Sequence, residues 1–372
     1  MTIHAKELRS LISAEGAVRL TIDDVPLAAP GPDEVIVRVD AAPINPSDLA
    51  TLLGPSDPQS FRKGEGADRA TYAQVPPQSL GRIALRAGKS LGSGNEGAGV
   101  VIAAGANAQH LLGKVVASMS GNMFASHRLL PANEVLEFPE GVSPEQAAAA
   151  FINPLTALGM VSTMRLEGHA ALVHTAAASN LGQMLVRLCQ ADGVELVNIV
   201  RSAEQAAVLR KLGARYVLNS GDESFVEQLV AAIAATGATL AFDAVGGGKL
   251  GSQILGAMEA ALVAKTPPVG PYGSPVHKQL YIYGRLDLSP TVLAPTVGMA
   301  WGTGGWLLYQ HLQRVGPSGV AALQKRVTGE ITGIFASQYA RAISLDEAID
   351  PAVIPGYQRR ATGEKYLLRP NQ

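Results

Sequence analysis

One turn of this sequence combines residue types that could bind a phosphate group. It runs from Thr175 to Gly182 and consists almost entirely of small residues. Small side chains let backbone amides approach a pyrophosphate at a helix N-terminus. The usual dinucleotide turn has three glycines and this one keeps only Gly182, so an ordinary tight turn remains the alternative. The candidate cofactor ligands are Thr175, Ala176, Ala177, Ser179, Asn180, Leu181 and Gly182.

Arg201 is the residue that could select the nucleotide. It follows the next predicted strand, which ends at Val200, and Ser202 comes directly after it. An NAD site would place a carboxylate there for the ribose 2′-hydroxyl, whereas a guanidinium suits a 2′-phosphate. We therefore predict NADPH as the cofactor, with Arg201 and Ser202 at the phosphate. The alternative is a solvated surface arginine.

Further candidates follow the later strands of the same region. The segment from Asp243 to Gly248 is rich in glycine, and another strand ends at Tyr283. Ligands of parallel sheets bind at the carboxyl ends of the strands, so these positions could contact the cofactor, although they could also be plain loops. The candidates are Asn219, Val245, Gly246, Tyr283 and Gly284.

An alternation of strands and helices after Gly168 would position these residues. Buried-strand patterns cover residues 170–174, 194–200, 216–218, 239–245 and 279–283, and helical spacing covers residues 181–189, 203–212, 224–235 and 250–264. This alternation predicts an α/β fold with a doubly wound parallel sheet.

The rest of the chain has different patterns. The first 150 residues are β-rich, with strands predicted at 34–40, 100–104 and 114–117, and a final strand is predicted at 366–368. Residues 290–328 are predicted to be helical. The Pro- and Gly-rich stretch 54–92 is predicted to be a loop, and we hypothesise that it covers a substrate cleft.

The composition excludes several classes of protein. The chain has 372 residues, 47% hydrophobic and 16% charged, with a formal net charge of −1. This excludes an intrinsically disordered chain and gives no basic bias toward nucleic acid. The single cysteine, Cys189, excludes an internal disulfide and any multi-cysteine metal site. No signal peptide or long apolar run is evident, so we expect a cytoplasmic protein without membrane contact.

Several motifs jointly resemble one superfamily. They are Ala42-Pro-Ile-Asn-Pro-Ser-Asp48, Gly94-Asn-Glu-Gly-Ala-Gly99, Ile152-Asn-Pro-Leu-Thr-Ala157, the turn at 175–182 and Lys211-Leu-Gly-Ala214. Their order is similar to that of the medium-chain dehydrogenase/reductase superfamily. The likeness is strongest to its zinc-independent branch, which holds the NADPH:quinone oxidoreductases and the mitochondrial-type 2-enoyl thioester reductases.

The resemblance implies a domain plan. A GroES-like catalytic domain would comprise residues 1–151, completed by about 335–372, and an NADPH-binding Rossmann domain would comprise residues 152–334. It also implies a homodimer that shares strands near Tyr281 and Tyr283. Asn45 and Asn95 occupy the positions of zinc ligands in zinc-dependent relatives, and neither is a good ligand, so no metal is expected.

The resemblance also implies roles for individual residues. Asn45, Asn153 and Thr156 would lie near the nicotinamide, with capping of loops or helices as the alternative. The tyrosine acid of the enoyl reductases falls on Ser56 in register, and Tyr72 is the candidate replacement, unless it is simply an exposed loop residue. Asp48 and Glu96 are expected to hold loops and backbone amides.

Other polar and aromatic residues are expected to have structural roles. Lys365 is expected at the surface, His174 in the core, and Trp301 and Trp306 in packing.

The predicted function is NADPH-dependent hydride transfer to a quinone or another α,β-unsaturated carbonyl compound. The alternative within the superfamily is a 2-enoyl thioester (CoA or acyl-carrier-protein) reductase. The alternative of another class is a non-catalytic NADPH-binding regulatory or RNA-associated protein. The expected partner is a small-molecule substrate with an activated C=C bond, and nucleic acid is not expected.

Overall fold

Strands dominate the first half of the chain and helices the second. The computed structural model describes residues 3–266, 270–359 and 362–372. The strands in these residues are β1 (Ile3–Ile12), β2 (Ala17–Leu27), β3 (Glu34–Pro43), β4 (Arg62–Lys63), β5 (Thr71–Gln74), β6 (Ser90–Gly92), β7 (Gly97–Ala104), β8 (Val115–Ser118), β9 (His127–Pro131), β10 (Val135–Glu137), β11 (Ala171–His174), β12 (Glu195–Val200), β13 (Tyr216–Asn219), β14 (Leu240–Asp243), β15 (Lys278–Ile282), β16 (Trp301–Gly305), β17 (Arg341–Ile343) and β18 (Tyr366–Leu368).

Ten α-helices lie between these strands in the described residues. They are α1 (Pro46–Leu52), α2 (Pro144–Ala147), α3 (Ile152–Leu166), α4 (Asn180–Asp192), α5 (Ala203–Lys211), α6 (Phe225–Thr236), α7 (Leu250–Lys265), α8 (Leu308–Glu330), α9 (Leu345–Ala348) and α10 (Ile354–Gln358). The chain divides into two units. Unit 1 comprises the described residues up to 152 and from 324 onward, and unit 2 those within 153–323. Their assignment as catalytic and NADPH-binding domains stays a prediction.

The segment 54–92 is part of a sheet in unit 1. It supplies β4, β5 and β6 to a five-stranded antiparallel sheet in the order β4-β5-β2-β1-β6. Ala73, Val75 and Ile83 from this segment are buried against the strands of the same sheet. The stretch predicted as a loop over a cleft therefore contributes three strands and core residues to its own unit.

The other sheet of unit 1 joins both ends of the chain. Its order is β10-β8-β7-β3-β18-β17, with β9 also paired to β3. The predicted C-terminal strand pairs antiparallel with β3, placing Leu368 opposite Ala42. Apolar residues on alternate positions of β3, including Val35 and Val37, fill the core beneath it.

Unit 2 contains the predicted doubly wound sheet. Its six strands are parallel and follow the order β13-β12-β11-β14-β15-β16. The chain reverses its direction of winding between β11 and β14, which is the point where ligands bind in such sheets. Nearly continuous apolar runs made the inner strands easy to predict, because parallel strands are buried on both faces.

Two expectations about the later part of unit 2 are wrong. Residues 301–305 lie in the helical prediction but form β16, because a glycine-rich strand shows no apolar alternation. The strand that contains Tyr281, predicted to pair across a dimer, has no open edge for a second copy. Strand β15 is already paired to β14 on one side and β16 on the other, so β16 is the edge.

Helix α4 buries the only cysteine. Ser179 caps its N-terminus, and Gly193 ends it in the left-handed conformation with φ of 65°. Cys189 is 1% exposed, and burial raises the pKa of its thiol to about 12. Among the described residues, none of the helices is long and apolar enough to cross a membrane.

Candidate functional site

The turn between β11 and α4 is built around one glycine. A Cβ added to Gly182 would lie 2.1 Å from the carbonyl oxygen of Ala177, so only glycine permits this approach. Ala176 adopts a positive φ of 50°, which lets the chain reverse before the helix. The Ser179 hydroxyl accepts a hydrogen bond from the Gly182 amide at 3.1 Å. The turn is therefore tight, and it leads directly into the N-terminus of a 13-residue helix.

Asp243 ties this turn to the end of β14. The Thr175 hydroxyl donates to Asp243 Oδ1 at 2.7 Å and accepts from the Ala244 amide at 2.8 Å. The amides of Val245 and Gly246 donate to the same carboxylate at 2.8 and 3.0 Å. The Thr175 side chain is thus fully engaged, and any contact of this turn with a ligand must come from its neighbours. Asp243 is a positioning residue that the candidate set omitted, although its motif had been noted.

Gly246 and Gly284 meet at the same sheet edge. A Cβ on Gly246, whose φ is 78°, would lie 2.8 Å from the Gly284 carbonyl oxygen. The structure therefore brings together the predicted residues at the ends of β11, β14 and β15.

A buried histidine and a tyrosine lie beside these turns. His174 Nε2 and the Tyr283 hydroxyl are 2.7 Å apart, and the two rings stack with centroids 5.8 Å apart. His174 is completely buried, and burial lowers its pKa to about 3, so the ring is neutral. Its Nδ1 atom has no hydrogen-bond partner in the part of the chain that is described. The Tyr283 hydroxyl, predicted to contact cofactor, is engaged by His174.

Arg201 directly follows β12, and it is exposed. Its backbone amide donates to Gln205 Oε1 at 3.1 Å, and no ion pair of its guanidinium occurs within the described residues. Ser202 caps α5 and accepts from the Gln205 amide. Asn219 orders the adjacent loop, because its amide group donates to Asp222 and accepts from Gly221. A cation without an acidic partner therefore lies where the sequence predicted one.

In unit 1, Asn45 lies in a network of buried carboxylates. The Asn45 amide donates to Asp48 Oδ2 at 2.7 Å, and its side-chain Nδ2 donates to Glu96 Oε1 at 2.8 Å. The Asn95 amide donates to the other oxygen of Asp48 at 2.7 Å. Glu96 Oε2 accepts from the amides of Phe151 and Ile152, both at 2.9 Å. The two carboxylates hold loops and backbone amides, as their types and positions suggested.

Burial controls the charge of this network. Asp48 is 1% and Glu96 0% exposed. Burial raises the pKa of Asp48 to about 7, although the amides of Asn45 and Asn95 act in the opposite direction. Burial also raises the pKa of Glu96, opposed by the positive charge of Lys365.

Lys365 is not the surface residue that the sequence suggested. Its Nζ atom is buried and has no hydrogen-bond partner among the described residues, and it lies 5.8 Å from the centre of the Tyr339 ring. Burial lowers its pKa, while the charges of Glu96 and Asp48 raise it. The change from expectation follows from the pairing of β18 with β3, which draws the preceding residue into the unit.

The remaining candidates are located by the elements of their own units. The Tyr72 hydroxyl donates to Asp68 Oδ2 at 2.6 Å, on a half-buried residue of β5. The Ser56 hydroxyl is buried and donates to the carbonyl oxygen of Leu53. Asn153 and Thr156 lie in the first two turns of α3, and Thr156 is buried. No hydrogen bond between described residues joins Tyr72 to Asn45.

Comparison with known proteins places this architecture among the reductases. A family model described as zinc-binding dehydrogenase matches residues 181–263. Within the described residues there is no group of three His, Cys, Asp or Glu side chains suited to a metal ion. The mitochondrial enoyl-[acyl-carrier-protein] reductase of Xenopus tropicalis is 26% identical over 54% of this chain and 51% of its own length. Quinone oxidoreductase 1 of Escherichia coli is 29% identical over 42% of this chain and 49% of its own. The chain spans about half the length of these curated relatives.

Solved structures extend the comparison to the whole fold. A protein of Mesorhizobium loti provisionally assigned as an NADPH:quinone reductase is 26% identical, with a TM-score of 0.72 over 100% of both chains. Escherichia coli quinone oxidoreductase, solved with NADPH, has a TM-score of 0.67 over 98% of this chain at 20% identity, which supports the fold alone. The predicted α/β fold, a GroES-like β-rich domain with a Rossmann sheet, is confirmed. The chain is thus similar to the quinone oxidoreductases and enoyl reductases of the medium-chain dehydrogenase/reductase superfamily.

Proposed function

We propose that this chain is an NADPH-dependent oxidoreductase that transfers hydride to quinones or other α,β-unsaturated carbonyl compounds. One observation carries the proposal. The tight turn at Gly182 follows β11, and the neighbouring strand β12 is followed by Arg201, whose guanidinium has no ion pair among the described residues. A narrow turn at a helix N-terminus suits a pyrophosphate, and the guanidinium suits a 2′-phosphate.

The residues of unit 2 fit NADPH. The backbone of the turn from Ala176 to Gly182 would hold the pyrophosphate, and Arg201 with Ser202 would hold the 2′-phosphate. Asn219, Val245, Gly246 and Gly284 line the same ends of the strands, with Asp243 and Thr175 fixing their loops. NADPH supplies the hydride when it is bound. The His174–Tyr283 pair is neutral and adds no charge at these strand ends.

Unit 1 would contribute a residue that takes part in the reaction. Asn45 is held at both its backbone and its side chain, so its position is fixed by the buried carboxylates. We propose that Asn45 orients a reacting group, as the resemblance implies. A fixed amide can orient a carbonyl group without taking part in proton transfer. For unit 2, the resemblance implies that Asn153 and Thr156 lie near the nicotinamide.

The hydrogen bonds already made by the Ser56 and Tyr72 hydroxyls favour a quinone as substrate. Reduction of an enoyl thioester needs a proton at the α-carbon after hydride transfer, whereas a reduced quinone takes its protons from water. The hydroxyls of Ser56 and Tyr72 both already donate to other groups. The enoyl thioester alternative therefore requires Tyr72 to release Asp68.

The first test measures NADPH consumption by the purified protein with 1,4-benzoquinone and with crotonyl-CoA in parallel. We expect turnover of the quinone. Turnover of crotonyl-CoA alone would favour the enoyl reductase alternative. Tight binding of NADPH without turnover of either compound would contradict the proposal and support the non-catalytic alternative.

Replacing Arg201 tests the phosphate assignment. We expect Arg201→Glu to raise the Kd of NADPH on the order of 100-fold, because a charge-assisted hydrogen bond is replaced by repulsion. The Kd of NADH should change less than threefold, since NADH has no 2′-phosphate. Calorimetric titration measures both.

Arg215→Glu is the matched control, because Arg215 is exposed and pairs with Glu195 at the opposite end of β12. Equal weakening of NADPH and NADH by the Arg201 change would contradict the assignment.

The proposal includes a homodimer in the cytoplasm. Strand β16 is the free edge of the parallel sheet, and Met299 and Leu307 beside it are 72% and 60% exposed. An open edge flanked by apolar side chains favours pairing with a second copy. Light scattering of the purified protein measures the molar mass, and a monomer at micromolar concentration would contradict this part.

A further inference from the structure

The buried network of unit 1 holds more negative than positive charge. Asp48 and Glu96 each accept only from N–H groups, which belong to Asn45, Asn95, Phe151 and Ile152. A protonated carboxyl is a weaker acceptor, and none of these contacts offers an acceptor for its O–H group. These contacts therefore favour the ionised form of both carboxyls, which is costly for groups removed from water unless a positive charge is near.

The backbone carries Lys365 to this place. The Ile44 amide donates to the Tyr366 carbonyl oxygen at 3.0 Å, so the residues on either side of this bond, Asn45 and Lys365, follow neighbouring paths. The Lys365 carbonyl oxygen in turn accepts from the Ala340 amide at 2.8 Å, which brings the Tyr339 ring against the ammonium group.

The charge of Lys365 acts on both carboxyls, and that of Glu96 also acts on Asp48. Burial raises the pKa of the neighbouring Tyr339 hydroxyl, which is therefore neutral. Lys365 is thus the positive charge of the network.

We propose that Lys365 is a positioning residue, whose buried ammonium favours the ionised forms of Asp48 and Glu96 and thereby helps to fix Asn45 and the backbone at Phe151 and Ile152. The effect is indirect, because Lys365 acts through the two carboxylates. The catalytic part of this inference rests on the proposed function, whereas the effect on the four amides does not.

The test compares Lys365→Met with Lys365→Arg. Without the ammonium, a carboxyl should take up a proton near neutral pH and release at least one amide. We expect protection factors for hydrogen exchange at Asn45, Asn95, Phe151 and Ile152 to fall at least tenfold at pH 7 in Lys365→Met. They should recover toward pH 9, where the carboxyls ionise again, and Lys365→Arg should keep the values of the original protein.

The pH profile of kcat/KM for quinone reduction is the second measurement. We expect its acid limb to move to higher pH in Lys365→Met and to return in Lys365→Arg. Lys63→Met is the matched control in the same unit, because Lys63 is 69% exposed and pairs with Asp350 at the surface. It should change neither measurement.

The outcomes separate the two proposals. An original protein that reduces neither substrate overturns the proposed function, and the exchange measurement still decides on Lys365. Unchanged protection factors in Lys365→Met overturn the positioning role. If Lys365→Met does not fold, the double variant Glu96→Gln/Lys365→Met should fold, since it has no unpaired carboxylate at position 96. A double variant that is equally unfolded overturns the proposal.

Discussion

Asp48 in unit 1 and His174 in unit 2 are both removed from water beside a hydrogen-bonded turn, yet burial shifts their pKa values in opposite directions. Burial disfavours the charged form of each group, which raises the pKa of the acid to about 7 and lowers that of the base to about 3. At neutral pH His174 is uniformly neutral, whereas Asp48 is close to its midpoint. The turn region of unit 2 thus has a constant charge at His174 across physiological pH, while the network around Asn45 can change.

The largest expected effect is acid destabilisation of unit 2. An unfolded chain protonates His174 near pH 6.5 and the folded unit only near pH 3, so the folded unit loses stability as pH falls between these values. We expect a loss of roughly 3 kcal/mol between pH 7 and pH 4 from this residue. His174→Gln, whose amide can still bind the Tyr283 hydroxyl, should remove most of it.

Urea unfolding followed by tryptophan fluorescence is suited to this measurement, because both tryptophans, Trp301 and Trp306, lie in unit 2. The exposed residue His110 supplies the control variant His110→Gln. If His174→Gln lost as much stability on acidification as the original protein, His174 would not be the cause of the acid destabilisation of unit 2.

An effect of similar size and opposite sign is expected in unit 1. Between pH 4 and pH 7 the folded unit holds a proton on Asp48 that the unfolded chain has released, so stability falls as pH rises. We expect a decrease of roughly 3 kcal/mol over this range from this residue. Asp48→Asn cannot titrate and should flatten this dependence. Hydrogen exchange of the core amides of β3 between pH 4 and pH 7 measures it, and an unchanged slope would contradict it.

The smallest effect is expected for an exposed hydroxyl group. Tyr72 donates to Asp68, and this contact holds the pKa of Asp68 below its usual range. We expect Tyr72→Phe to change quinone turnover less than twofold and the melting temperature by no more than about 2 °C. A drop of kcat with crotonyl-CoA of tenfold or more, with KM unchanged, would instead identify Tyr72 as the acid of an enoyl reductase.

The sequence predicted unit 2 better than unit 1. Strands such as Ala171–His174 and the helices between them show their burial in local periodicity, and a parallel sheet follows from that alternation. The position of Gly182 in its turn was predictable for the same reason. The glycine-rich strand Trp301–Gly305 has no such pattern, and only its pairing with β15 makes it a strand.

In unit 1, strand pairing between segments distant in sequence determines structure that the local sequence does not. Thr71–Gln74 becomes a strand because β2, some fifty residues earlier, offers an unpaired edge. Lys365 is drawn into the unit because the last strand pairs with β3, more than 300 residues before it. Neither contact leaves a trace in composition or spacing near these residues.

The burial of Cys189 affects how the protein would respond to electrophiles such as the quinones of the proposed function. Quinones and enones arylate or alkylate thiolates, and repeated exposure inactivates proteins that present them. The only cysteine of this chain is 1% exposed, and with a pKa of about 12 it is almost entirely protonated at neutral pH. In its folded form the chain therefore offers an electrophile no reactive thiol.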